Sequence, residues 1–107
     1  MKRRKFEELN IWKSALKITK EIYDLTAKKE FSRDFGLWDQ IRRSIISVSS
    51  NIVEGFEKNS NNEFVRFLKI AKGSAGEVRA QLYVALDTGY LNIETFKYLN
   101  ELATECS

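Results

Sequence analysis

Two glutamates are the strongest candidates for chemistry in this sequence of 107 residues. Glu54 and Glu77 each lie within a polar stripe of a predicted helix, and facing carboxylates in a helical bundle can transfer protons or hold two metal ions. Di-iron bundles, however, use Glu-x-x-His pairs, and the sequence has no histidine. We therefore expect no catalytic residue, no metal and no cofactor, and a carboxylate-based enzyme is the least favoured of three hypotheses.

Other reactive groups are sparse. Without histidine, the commonest general base and serine-activating group is missing. Cys106 is the single cysteine, which excludes an internal disulfide, a Cys-His pair and a zinc site. No apolar run approaches the roughly 20 residues that cross a bilayer, and no hydrophobic segment follows the basic N-terminus as it does in a signal peptide. The sequence therefore predicts a cytoplasmic protein with no membrane partner.

Hydrophobic periodicity predicts an all-α protein of four helices. The first spans Asn10 to Lys28, the second Leu37 to Phe56, and the fourth runs from Asn92 almost to the end. The third begins at a capping box, Ser60 to Glu63, and ends near Thr88. Short links between long helices favour an antiparallel up-down-up-down four-helix bundle.

One domain is expected from the length of the chain. Residues 1–9 are predicted to form a basic N-terminal arm, and residues 10–107 the bundle. The link from Lys29 to Gly36 is predicted to be polar and irregular, with Phe31 and Phe35 plugging one end of the bundle.

Polar residues form a stripe on the second and third helices beside the apolar residues of the core. On the second helix the polar residues repeat at intervals of four and three residues, as a helical face requires. The two stripes comprise Gln40, Ser44, Ser47, Asn51 and Glu54 on the second helix and Ser74, Glu77 and Gln81 on the third. We expect them to meet as a polar network at or near a subunit contact.

Apolar residues outside the predicted core indicate that contact. Ile46 and Val53 lie more than about 100° from the centre of the core stripe on the second helix, and Ile70 and Val84 lie off the core of the third. Such repeated off-core residues favour burial against a second copy of the chain. Isolated exposed hydrophobic residues are the alternative.

Basic residues suggest a polyanionic partner. The net charge is +3, but residues 2–5 alone carry +4, so the remainder is close to neutral. Attraction for phosphates must come from this tail or from local patches. The candidate nucleic-acid-binding residues are Lys2, Arg3, Arg4, Lys5, Arg42, Arg43, Lys69, Lys72 and Arg79. A solvated basic surface is the alternative.

Several motifs resemble one known family. They are Phe6-x-x-Leu9-x-Ile11-Trp12, Gln40-Ile41-Arg42-Arg43-Ser44, Asn51-Ile52-Val53-Glu54-Gly55, Gly73-Ser74-x-x-Glu77 and Asp87-x-Gly89-Tyr90-Leu91. The sequence resembles the four-helix bundle proteins encoded in intervening sequences of bacterial 23S rRNA genes. The resemblance implies a bacterial, non-enzymatic homo-oligomer, with a pentameric ring expected, that binds nucleic acid. Related accessory proteins of diversity-generating retroelements bind RNA and pair with a reverse transcriptase.

The leading hypothesis is therefore a homo-oligomeric bundle that binds nucleic acid, with RNA as the expected partner, through basic surface residues. The alternative is an assembly or adaptor scaffold whose partner is a protein, such as a reverse transcriptase, without direct contact to nucleic acid. The spacing of residues by itself does not give the number of subunits.

Overall fold

The computed structural model describes residues 5–107, which form helices joined by short links. A 3-10 turn precedes five α-helices, and these residues contain no strand, so the predicted all-α class is confirmed. The elements are the 3-10 turn Phe6–Glu8, α1 Asn10–Thr26, α2 Lys29–Arg33, α3 Phe35–Glu57, α4 Asn61–Asp87 and α5 Ile93–Thr104.

The four long helices form an antiparallel bundle in which each packs against two neighbours. Helices α1 and α4 both contact α3 and α5. Because the Arg79 side chain on α4 bonds to Asn100 on α5, antiparallel pairing places the end of α5 near Ala75. The α3–α4 hairpin therefore extends beyond α5, and the molecule is elongated, with extents of 50 × 22 × 18 Å.

A continuous apolar core lies between the four helices. On α3 the buried apolar residues recur at intervals of three and four, as hydrophobic periodicity predicts for a helix, and the other long helices also bury apolar residues. The largest fully buried apolar side chains are Ile18, Ile22, Phe31, Ile41, Ile45, Val48, Ile52, Val78, Leu82 and Leu99. Within residues 5–107, no helix combines the length and apolar character that a membrane span needs.

Side chains cap the helices where unpaired backbone donors need acceptors. As predicted, Ser60 Oγ accepts from the Glu63 backbone N–H at 3.4 Å, and Asn92 Oδ1 accepts from the Thr95 N–H at 2.8 Å. The second half of the predicted capping box does not form. The Glu63 carboxylate instead accepts from Arg66 Nε at 2.7 Å.

The predicted irregular link between the first two long helices is wrong in two respects. It contains the short helix α2, and α3 begins at Phe35 because the Asp34 carboxylate accepts from the Leu37 N–H at 3.2 Å. Phe31 is fully buried against the Tyr90 ring, as expected of a plug. Phe35 is 67% exposed, because α3 carries its side chain outside the bundle.

Two glycines meet specific geometric requirements. Gly89 has a φ of 85° and ends α4 in a Schellman motif, in which the Tyr90 N–H donates to the Ala85 carbonyl at 2.9 Å. Gly55 is buried where α3 approaches α4, and a Cβ added there would lie 2.6 Å from the Cβ of Phe67. The absence of a side chain at Gly55 therefore permits this helix approach.

We expect Gly55→Ala to lower the free energy of unfolding by about 1–3 kcal/mol, because the helices must separate to admit the methyl group. Gly36→Ala is the matched control, since the nearest atom to its added Cβ is 3.9 Å away. Urea denaturation of the two variants measures the difference. Equal stability would contradict the close packing described at Gly55.

Candidate interaction surfaces

A chain of hydrogen bonds, which we call the polar seam, joins α3 to α4. Ser47 Oγ and Ser74 Oγ lie 2.9 Å apart, and Asn51 Nδ2 donates to Ser47 Oγ at 2.9 Å and to the Ser47 carbonyl at 2.8 Å. Gln81 Nε2 donates to Ser44 Oγ at 3.1 Å. The structure thus brings together five of the eight residues of the two predicted stripes.

The composition of the polar seam follows from its position between closely packed helices. Ser44 and Ser74 are buried, and their small hydroxyl groups bond across the contact without forcing the helices apart. The Gln81 Oε1 atom is buried with no hydrogen-bond partner within residues 5–107. A buried acceptor without a partner costs about 1–3 kcal/mol.

The other stripe residues, Gln40, Glu54 and Glu77, are exposed. The contact between Ser47 and Ser74 shows which residues of α3 and α4 lie at the same height along the helix axes. Glu54 lies seven residues beyond it on α3, whereas Glu77 lies three residues beyond it on α4 in the opposite direction, a separation of about 15 Å along the axis. The two carboxylates therefore do not face each other within one chain. Residues 5–107 also hold no cluster of three potential metal ligands.

The single thiol does not provide a nucleophile. Cys106 is buried in the core, and burial raises its pKa to about 11. A thiol with this pKa remains protonated near neutral pH and reacts slowly.

The structure separates the off-core apolar residues onto two surfaces. Ile46, 43% exposed, lies beside Trp38 and Arg42 on the α1 side of α3. Ile70 and Val84, which are 42% and 50% exposed, lie on the flank of α4 that faces α3. Val53 is half-buried. Because they occupy different flanks, Ile46 and the α4 pair do not form one patch in a single chain.

Arg42 is held by its neighbours. Its guanidinium lies over the rings of Tyr23 and Trp38, at 4.1 and 4.6 Å from their centroids. Nε donates to Thr26 Oγ1 at 2.8 Å, and Nη2 donates to the Tyr23 carbonyl at 3.3 Å. The interaction ties α1 to α3 and leaves part of the guanidinium at the wall of a groove. Sequence reasoning missed Tyr23, Trp38 and Thr26 as its partners, although the interval of four from Trp38 to Arg42 was a local signal.

That groove lies between α1 and α3. It is open to solvent, with a volume of about 530 Å³. It is lined by Tyr23, Trp38, Asp39, Arg42, Arg43, Ile46 and Ser47. The sequence predicts a subunit contact at Ile46 and a phosphate contact at Arg42. Both residues line this groove.

Among the other residues predicted to contact phosphates, some bond to neighbouring side chains and others are exposed to solvent. Arg79 Nε donates to Asn100 Oδ1 at 3.0 Å, and Arg43 pairs with Asp39 at 3.0 Å on the surface. Lys5, Lys69 and Lys72 are exposed. Lys2, Arg3 and Arg4 lie outside the described residues.

These basic residues do not converge on one face. Arg42 bonds to α1, and Arg79 bonds to α5. Because the α1–α3 and α4–α5 contacts lie at opposite edges of the four-helix bundle, these two arginines are separate cations rather than part of a continuous patch. A joint surface requires several copies of the chain or the terminal tail.

The chain is similar to known proteins in both sequence and structure. Residues 7–107 match the family described as 23S rRNA-intervening sequence protein. A solved structure of a protein with unknown function from the S23 ribosomal protein family of Bacteroides thetaiotaomicron is similar to this fold, with a TM-score of 0.81. It shares 26% sequence identity over 90% of each chain. Among curated proteins, none matches the sequence significantly.

We expect Ser47→Ala to lower the free energy of unfolding by about 1–3 kcal/mol, because it removes the hydroxyl shared by Asn51 and Ser74 in the polar seam. Ser50→Ala is the control, since Ser50 is exposed on the same helix. Chemical denaturation of the two variants compares them. A Ser47→Ala chain as stable as the control would show that the polar seam contributes no net stability.

Proposed function

The chain belongs to the 23S rRNA-intervening sequence protein family, and on this premise we propose that it is a non-enzymatic homo-oligomer, a pentameric ring, that binds RNA. The subunit contact is the exposed flank of α4 that lies beside the polar seam and carries Ile70, Gly73 and Val84. The ring then presents the basic residues of several chains to one polyanion. The geometry around Gly73 is the observation that carries this proposal.

Gly73 lies in the interior of α4, where glycine costs about 1 kcal/mol relative to alanine. Its φ is not in the left-handed region, and a Cβ added there would meet nothing within 4 Å. No contact within residues 5–107 therefore requires glycine at this position. Close approach by the backbone of another copy would require it, as the approach of α4 requires Gly55.

The surroundings of Gly73 support the same surface. Ile70, Glu77 and Val84 lie within about 60° of it around α4 and form one exposed stripe. The stripe is apolar at both ends. A neighbouring chain on this stripe would cover the apolar side chains.

RNA binding draws support from the distribution of charge. Lys69 and Lys72 are exposed on α4, and residues 2–5 add four positive charges to each chain. One chain offers few free cations, but a ring multiplies both the tails and the exposed lysines.

A protein-binding scaffold without contact to nucleic acid is the second candidate. The engagement of Arg42, Arg43 and Arg79 with other side chains favours it, since these three arginines are less available to phosphates. Under this alternative the oligomer persists, and its partner is a protein.

We expect Gly73→Gln to dissociate the oligomer while leaving the helices intact, because the new side chain blocks close approach of a second backbone. The monomer should remain helical, since glutamine favours helix over glycine. Light scattering measures the mass, with Lys97→Gln on the exposed face of α5 as the control. A monomeric wild-type protein, or an unchanged mass for Gly73→Gln, would contradict the assigned contact.

We expect RNA affinity to fall steeply with salt, and deletion of residues 2–5 to reduce the slope of log K against log salt by about 3 for a single strand. Fluorescence polarisation with a labelled RNA measures the slope between 50 and 300 mM salt. The control is Lys97→Gln, which removes one exposed charge on α5, outside the tail. An unchanged slope removes the tail from the binding surface, and no preference for RNA over a neutral polymer favours the protein-binding scaffold.

A further inference from the structure

The most exposed of the large apolar side chains described is at the start of α3. Phe35 has 67% of its surface exposed, more than any other large apolar residue within residues 5–107. Its ring stacks on that of Trp38 with centroids 5.7 Å apart and planes inclined by 26°. One aromatic ring is thus held against a second and keeps most of its surface in solvent.

The stack continues along α3. Phe35, Trp38 and Arg42 are three and four residues apart, so they form one column on the helix. Arg42 contacts the Trp38 ring and is fixed to α1 by its bonds to Thr26 Oγ1 and the Tyr23 carbonyl. The column is held in place before any ligand arrives, which lowers the entropic cost of binding to its exposed end.

The charge around this column favours an anionic ligand. Residues 28–43 contain five cations and three anions. Asp34 caps α3 and accepts from the Tyr90 hydroxyl at 3.0 Å, and Asp39 pairs with Arg43, so five cations against three anions leave this segment a net charge of +2. Arg42 Nη1 donates no hydrogen bond to residues 5–107, and its guanidinium borders the groove of about 530 Å³.

We propose that this end of α3 is a binding site for an unpaired nucleotide of RNA. Its base stacks on the exposed face of Phe35, and the adjoining phosphates run along α3 to Arg42 and Arg43. A base extends the existing stack, since every base has a π face, and its phosphates meet the guanidinium groups at the groove. The site rests on the RNA binding proposed above and gives it a location.

The aromatic column and the proposed subunit contact use different residues of the chain. Phe35, Trp38 and Arg42 lie at the α1 side of α3, whereas Ile70, Gly73 and Val84 lie on α4. A substitution at Phe35 or at Gly73 therefore changes only one of the two proposed surfaces. This arrangement allows the two proposals to be tested independently.

The experiment measures binding of a labelled eight-nucleotide oligoadenylate to the full chain by fluorescence polarisation. We expect Phe35→Ala to weaken binding by about 5- to 150-fold, the effect of losing one stacked base, and Phe35→Trp to preserve it. Tyr98→Ala is the matched control, because Tyr98 is an exposed aromatic residue on α5. Circular dichroism checks that each variant is folded, as expected for a change at an exposed side chain.

An abasic oligomer of the same length and charge separates stacking from phosphate contacts. We expect it to bind the wild-type chain and the Phe35→Ala chain equally, because it has no base to lose. Arg43→Gln should weaken both oligomers, since it removes a phosphate contact.

Each contrary result has a distinct meaning. Equal oligoadenylate affinity for the wild-type and Phe35→Ala chains overturns this site but leaves RNA binding elsewhere on the protein intact. Absence of any RNA binding by the wild-type chain overturns both proposals. A lower oligomer mass for Phe35→Ala in light scattering, with no change in RNA affinity, makes Phe35 a subunit contact and overturns the nucleotide site.

Discussion

The close approach of α3 to α4 is the constraint on which the rest of the structure depends. Gly55 admits Phe67 at a distance that no side chain on α3 would allow, and the Ser47–Ser74 hydrogen bond fixes the register further along the pair. Since α1 packs on α3 and α5 on α4, both outer helices take their positions from this central pair. The polar seam makes the contact selective, because a shift in register would bury its donors and acceptors without partners.

The same constraint divides the surface of the molecule. The polar seam occupies the facing flanks of α3 and α4, so the residues just outside it on α4 form an exposed stripe that includes Gly73. The opposite flank of α3 faces α1 and carries the column from Phe35 to Arg42. Assembly and ligand binding, as we propose them, therefore occupy separate surfaces. Neither proposed surface depends on a buried catalytic group. Glu54 and Glu77, the two candidates for one, do not face each other within one chain.

The roles predicted for the arginines from sequence differ from the contacts that these residues make in the structure. From sequence, Arg42 and Arg79 are equivalent members of a basic set, because charge and spacing are all that can be read there. In the fold, Arg42 fixes α3 to α1 through the Tyr23 ring and Thr26, and Arg79 fixes α4 to α5 through Asn100. Their partners are 16 and 21 residues away in the chain, beyond the reach of local patterns. Guanidinium groups often serve packing in this way, through stacking and directed hydrogen bonds.

The sequence by itself determined the helical class, the buried stripe of α3, the caps at Ser60 and Asn92, and the family, because periodicity, capping and motifs are local properties of the chain. It also placed the serines and amides of the polar seam on facing stripes. Only the tertiary structure decided that Phe35 lies outside the bundle, that α2 forms within the link, and that Ile46 and Ile70 lie on different flanks. Those outcomes depend on how one helix is rotated against another, and this rotation is set by contacts such as Gly55 with Phe67 rather than by the spacing within either helix.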